Sequence, residues 1–200
     1  MSRREIVSLL LILSVSVCLN APGLTEDCFA DTDAAVHAMD GIFFTDLLRD
    51  HPAPSRWKEY AIEYFARYPS LGLVIYPPLY PLSLVPFHLL LGDSAAVARG
   101  LVLLYAIAHL LAFHALIRRE MDERVAFFAT AFLATNIEVI RWSREAMLEI
   151  PSLLFMSLAA MAWMEFTGRG RRWCAPPAGA MTATWPPGAA SRRASSVCDS

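Results

Sequence analysis

Residues 95–117, AAVARGLVLLYAIAHLLAFHALI, carry Arg99 as their one permanently charged side chain. A helix this long and this apolar has no stable home in water, and ~20 such residues cross the hydrocarbon core of a bilayer. The run is not alone. Residues 6–19 (IVSLLLILSVSVCL), 125–140 and 151–166 are apolar as well. Composition agrees: 56% of residues are hydrophobic, 18% are charged and mean hydropathy is +0.42. The charged share is below the quarter usual for soluble domains. The expected fold class is therefore all-α, a polytopic transmembrane helix bundle. The net charge of −2 argues against a nucleic-acid partner. Cys18, Cys28, Cys174 and Cys198 have neither metal-ligand nor redox spacing, and four cysteines are too few for a disulfide framework here.

Residues 1–24 open with Arg3 and Arg4 before the first apolar run. They read either as a cleaved signal peptide or as an uncleaved transmembrane anchor from about Glu5 to Leu24. No small-x-small cleavage pattern follows Leu19, which favours the anchor. Both readings put the next segment outside the cytoplasm. That segment, residues 25–70, is an extracytoplasmic loop with juxtamembrane helices. One helix is expected over Asp33–Arg49, capped by Asp31 or Thr32 and broken by Pro52 and Pro54. A second is expected in SRWKEYAIEYFARYP, residues 55–69. There Trp57, Tyr60, Ala61, Tyr64, Phe65 and Tyr68 trace one face, and Lys58, Glu59, Glu63 and Arg67 fall largely on the other. Such a helix lies in the membrane interface or, alternatively, docks on the protein's own core.

Residues 71–168 hold the remaining transmembrane helices. The block LGLVIYPPLYPLSLVPFHLLL carries Pro77, Pro78, Pro81 and Pro86, which a regular spanning helix would not tolerate throughout. A break at Tyr76-Pro77-Pro78 followed by helix is expected, then a turn at Gly92-Asp93-Ser94. If every apolar block crosses, Arg118, Arg119 and Arg124 land outside, as do Arg169, Arg171 and Arg172. That violates the positive-inside rule twice. If the proline-broken block does not cross, both basic loops and the N-terminus become cytoplasmic. The Asp31/Asp33 loop and the segment 141–149 then share the other side. A full crossing that starts at Pro77 is the alternative. Residues 169–200 become rich in Ala, Pro, Gly and Ser and read as a disordered or out-of-frame tail.

Chemistry-bearing residues collect in few places: Asp31 and Asp33, Tyr76-Pro77-Pro78, Arg99, and RWSREAMLEIP over 141–151. A carboxylate at a membrane boundary is costly to bury unpaired and marks a site when it faces a cavity. For one of the two aspartates, helix capping is the plainer role. His37, His88, His109 and His114 have no ligand spacing and read as polar packing between helices.

Three stretches, taken in order, resemble a known family. They are DTDAAVHAMDGIFFTDLLRD, then YFARYPSLGLVIYPPLYPLSLVPFHLLLGDSAAVARGLVLLYAI, then RWSREAMLEIP. Together they are similar to the N-terminal part of the C-fold (GT-C) membrane glycosyltransferases. The family 39-like group is the nearest, related to protein O-mannosyltransferases and to the transferases that place aminoarabinose on lipid A. The resemblance covers residues 5–166, part of such an enzyme, so a truncated and inactive fragment is the expectation.

The resemblance implies a multi-pass cell-membrane glycosyltransferase of the cell envelope. Its donor is a polyprenyl-phosphate sugar, its surroundings are membrane lipids, and its acceptor is open. An acidic residue of the first external loop acts on the acceptor as general base; Asp33 matches that position best and Asp31 second. Glu149 matches a second acidic position. Tyr76 bends the chain beside the carrier site. A leaving phosphate needs a cation, and Arg144 or Arg141 can serve; anchoring of a helix end is the equal alternative for both. Strong relatives carry Asp-Glu where this chain has Asp33-Ala34, so no metal ligands are assigned, although a divalent metal is possible. The competing class is a non-catalytic polytopic protein, a transporter fragment or assembly subunit. A transporter would show paired broken segments in inverted halves, and one such block is present.

Overall fold

A computed structural model describes residues 3–174 apart from Asp27 and Val74. Every regular element among the described residues is helical. The helices are α1 (Arg3–Asn20), α2 (Thr32–Asp50), α3 (Trp57–Arg67), α4 (Leu79–Leu91), α5 (Ala95–Glu120), α6 (Glu123–Ala134), α7 (Ile137–Ser143) and α8 (Glu149–Cys174). The all-α bundle expected from the apolar runs is the observed architecture. Three helical stretches are long and apolar enough to cross a membrane, Arg3–Leu24, Ala95–Glu120 and Glu149–Thr167. α6 and α7 qualify as a fourth span if taken together, bent by 58°. The break falls at Thr135-Asn136, where the Asn136 side chain caps α7 by accepting from the backbone N–H groups of Glu138 and Val139.

The chain forms two compact units, residues 1–160 and 161–200. The second, where described, is the C-terminal part of α8. Trp163 and Phe166 are exposed there, with ring centroids 6.3 Å apart. The helix continues to Cys174, past the Gly168 boundary expected for the tail, and the rest of 169–200 lies outside the described residues.

In the first unit, one core cluster joins Ala34 and Ala38 of α2, Tyr80 and Leu84 of α4, and Ala98, Leu101, Val102 and Ala106 of α5. Ala146, Met147 and Ile150, from the start of α8 and the turn before it, complete it. A smaller cluster joins Ile12, Leu110 and Ala134, from α1, α5 and α6. Alanines from α2 and α5 in the first cluster let those helix backbones approach closely. At one end of the bundle, Arg118 of α5 donates to the buried Glu5 of α1 at 3.0 Å, and His114 stands 3.5 Å from the same carboxylate. The histidines do pack between helices. His109 meets Ser157 at 3.2 Å, His114 meets Thr130 at 3.1 Å and His88 meets Thr45 at 3.4 Å.

α2 and α4 lie side by side. Gly41 faces Leu84, Thr45 faces His88, and Arg49 reaches Asp93 at 2.7 Å. These pairings advance together along both helices, so the two run parallel. A Cβ on Gly41 would stand 2.7 Å from Leu84 Cδ1, so glycine sets the spacing of the pair. α4 follows the Tyr76-Pro77-Pro78 break as expected. Its 13 residues reach ~20 Å, short of the ~30 Å hydrocarbon core.

α3 departs from the single apolar face read in the sequence. Tyr60, Tyr64 and Tyr68 form a ladder against α2, with Phe43 5.1 Å from Tyr64. The hydroxyls of Tyr60 and Tyr64 donate to Asp50 and Asp46, each at 2.8 Å. Burial and these carboxylates raise both phenol pKa values, so the hydroxyls stay protonated donors. Trp57 and Phe65, placed with the tyrosines by periodicity, are exposed together with Ile62. The hydroxyls of Tyr60 and Tyr64 find acceptors on α2, whereas the Trp57 indole donates to the Pro52 carbonyl outside it and Ile62 and Phe65 have no donor. The docked and the outward readings therefore each describe half of this helix.

Candidate functional site

The site begins with the cap of α2. Asp31 has extended backbone and its carboxylate accepts from the N–H of Asp33, so Asp31 is the capping aspartate. Asp33 follows in the first turn, half-buried, where the positive end of the helix favours a carboxylate. The phenol of Tyr76 lies beside Asp33, and that carboxylate is the leading cause of its raised pKa. Asp31 and Glu149 lie close enough to push the same phenol further upward. Tyr76 thus feels three carboxylates, two from the start of α2 and one from the start of α8.

Tyr76 is placed by the loop before it. The buried Asp40 accepts from Gly72 N–H at 2.9 Å. A Cβ on Gly72 would lie 2.5 Å from Val36 Cγ1 and 2.9 Å from Tyr76 Cδ2, so only glycine lets the loop lie this close to α2. His37, one turn after Asp33, meets the Tyr76 ring edge-on at 4.5 Å. Burial lowers the His37 pKa, and Asp33 and Asp31 oppose that in part. Its Nδ1 is buried with no hydrogen-bond partner among the described residues.

Glu149 is the first residue of α8 and is exposed. It borders a mostly apolar cavity of about 480 Å³, with Trp142, Leu148 and Leu153 among the walls. A second cavity of about 400 Å³ opens between residues 26–31 and the end of α7. Asp31, Arg141, Arg144 and Glu145 line it. Arg141 is exposed, and its guanidinium sits 4.7 Å from the Trp142 ring centroid. Arg144 donates through both Nε and Nη2 to the Leu19 carbonyl near the end of α1, with Nε at 3.1 Å. A Cβ on Gly23 would stand 2.9 Å from Arg144 Cβ, so glycine makes room for that approach. Among the described residues, no three His, Cys, Asp or Glu side chains converge as a metal would require.

Arg99 and Glu145 have larger parts than their sequence context suggested. Arg99 is fully buried in the first turns of α5. It donates to the carbonyls of Glu26 and Cys28, the latter at 2.5 Å, and lies 4.7 Å from the Phe29 ring centroid. Its Nη2 is 3.7 Å from Glu145 Oε2. Glu145 Oε1 accepts from Ala30 N–H at 3.4 Å. A lone arginine inside an apolar run is a legible signal. Glu145, next to Arg144 on a polar turn, carries no signal that separates it from a solvated residue.

Carboxylates and arginines line the two cavities, which share Trp142, and Asp33 and Tyr76 stand next to Asp31 outside them; such a set is suited to activating a hydroxyl and neutralising an anion. No curated protein and no solved structure matches the chain. The family model for dolichyl-phosphate-mannose-protein mannosyltransferase matches residues 76–184, over half of the sequence. The matched part starts at Tyr76 and takes in Arg99, Arg141, Arg144, Glu145 and Glu149, while Asp31 and Asp33 precede it. With this match and an all-helical bundle of membrane-length helices, the chain belongs to the dolichyl-phosphate-mannose-protein mannosyltransferase family of GT-C membrane glycosyltransferases.

Proposed function

We propose that this protein transfers a sugar from a polyprenyl-phosphate donor to a hydroxyl acceptor on the extracytoplasmic side of the cell membrane. The observation that carries the reading is that Asp33 and Glu149, although 115 residues separate them in sequence, both act on the charge of the Tyr76 phenol. Asp33 takes the proton of the acceptor hydroxyl. The acceptor oxygen forms a bond to the anomeric carbon, the bond from that carbon to the carrier phosphate oxygen breaks, and the phosphate departs with the electron pair. Arg141 is the better-placed cation for that phosphate, because Arg144 already donates to the Leu19 carbonyl. Asp31 has a capping role beside Asp33, and Tyr76 orients the Asp33 carboxylate.

Charge supports the orientation. The Glu5–Arg118 contact puts the start of α1 and the end of α5 together, so Arg3, Arg4, Arg118 and Arg119 gather at one end. That end faces the cytoplasm by the positive-inside rule. Asp33, Arg99 and Glu145 belong to the opposite end. α4 lies along the membrane boundary on that side, which its short reach allows.

The test is transfer of labelled sugar from a polyprenyl-phosphate donor in membranes carrying the intact protein. Asp33→Asn and Glu149→Gln are each expected to lower transfer by about 100-fold or more at equal protein level, the scale of general acid–base catalysis. Undiminished transfer by Asp33→Asn removes that residue from the mechanism.

A further inference from the structure

The segment 26–31 enters α2 under two separate restraints. Arg99 reaches it from α5 and binds the carbonyls of Glu26 and Cys28. Glu145 reaches it from the turn between α7 and α8 and accepts from Ala30 N–H. The two side chains also face each other at 3.7 Å, both largely buried. Glu145 lies four positions before Glu149, and Ala30 lies three before Asp33. The strand of contacts from Asp33 through Ala30 and Glu145 to Glu149 is thus short and passes through this pair.

We propose that Arg99 and Glu145 are a positioning pair that fixes the spacing between Asp33 and Glu149. The proposal rests on reading those two carboxylates as the reacting acids. A guanidinium suits the role because its rigid fork can hold two carbonyls at once, which an ammonium on a flexible stem does not. Burial adds to the constraint: Arg99 Nε and Glu145 Oε2 have no hydrogen-bond partner among the described residues. The restraint itself lies in the bonds these side chains make to the backbone of the segment, and truncating either side chain releases it rather than leaving it partly held.

The experiment reads distance and activity separately. The intact chain, with its four cysteines changed to serine, receives spin labels at Thr32→Cys and Ser152→Cys and is reconstituted in liposomes. Pulsed dipolar spectroscopy is expected to give a narrow distribution for the otherwise unchanged protein and a broad one for Glu145→Ala. Glu145→Gln is expected to stay narrow, because its amide oxygen still accepts from Ala30 N–H. In the unlabelled protein, Glu145→Ala is expected to lose about tenfold or more in kcat with the donor KM unchanged, as misplaced reacting groups do. Glu145→Gln is expected to recover most of that loss. Where Glu145→Ala does not fold, Arg99→Lys takes its place and is expected to broaden the distribution. An unchanged distribution in Glu145→Ala or Arg99→Lys overturns the proposal, as does a Gln variant as impaired as the Ala variant. A narrow distribution in a protein that transfers no sugar would instead overturn the catalytic reading and leave the pair intact.

Discussion

The imidazole of His37 packs edge-on against the ring of Tyr76 at 4.5 Å, and the phenol of that ring lies beside the carboxylate of Asp33. One aromatic side chain therefore joins the loop before α4 to the first two turns of α2. Tyr76→Phe keeps the ring and removes the hydroxyl. It is expected to leave melting in detergent unchanged and to lower kcat by about tenfold, a smaller loss than in Asp33→Asn. Steady-state transfer assays on both variants make the comparison, and equal activity of Tyr76→Phe and wild type would remove the hydroxyl from the site.

Gly72→Ala tests the loop that presents this tyrosine. The new methyl would meet Val36 Cγ1 at 2.5 Å and Tyr76 Cδ2 at 2.9 Å. Neither neighbour is the end of a long flexible side chain, so the loop must shift. Destabilisation of about 1–3 kcal/mol is expected from the overpacking. A second change, Val36→Ala, should recover part of it. Thermal unfolding of the two single variants and the double variant gives the coupling.

Asp40 gives a pH test with a definite sign. Burial raises its pKa above the ordinary 3.8, and the Gly72 N–H bond offsets that only in part. The folded state thus holds a proton more tightly than the unfolded state. Stability is greatest below pH 3.8 for this group and declines as pH rises through the folded value, so the ionised carboxylate is a net cost at neutral pH. Asp40→Asn keeps an acceptor for Gly72 N–H without the charge. It is expected to melt higher than wild type at pH 7, with the difference shrinking on acidification. A variant that melts lower at pH 7 would show that the charge itself is needed there.

At the other end of the bundle, Glu5 and Arg118 predict an asymmetry. Glu5 is 2% exposed, whereas the Arg118 side chain is 43% exposed. Removing the acid lets the arginine turn to water along its aliphatic stem, at a cost of about 1–2 kcal/mol. Removing the arginine takes a charged partner from a carboxylate that is 2% exposed, and breaking a buried pair in that way costs about 3–5 kcal/mol. Arg118→Met should therefore destabilise more than Glu5→Gln in equilibrium unfolding. The reverse order would mean that Glu5 draws its stability from elsewhere.

The long helices, the proline break and the cap were legible, because each follows from local chemistry, whereas the 58° bend inside the 125–140 run was not. Asp31 sits before an apolar repeat, Pro77-Pro78 lacks two amide protons, and α5 has nothing to offer water. What the sequence did not disclose is long-range. Arg144 binds the Leu19 carbonyl across 125 positions, and Glu145 meets Ala30 across 115. No periodicity encodes such pairs. The tyrosines of α3 failed for a related reason: hydropathy groups them with Trp57 and Phe65, but their hydroxyls had partners on α2 that only the folded chain reveals.

Because α2 and α4 point the same way, the chain between them must travel back the full length of α2 before α4 can start. α3 and the stretch to Tyr76 are that return path, so their length is a ruler. Adding or deleting residues between Pro52 and Pro69, on what looks like a tolerant surface connection, would slide Tyr76 along α2 and out of register with Asp33.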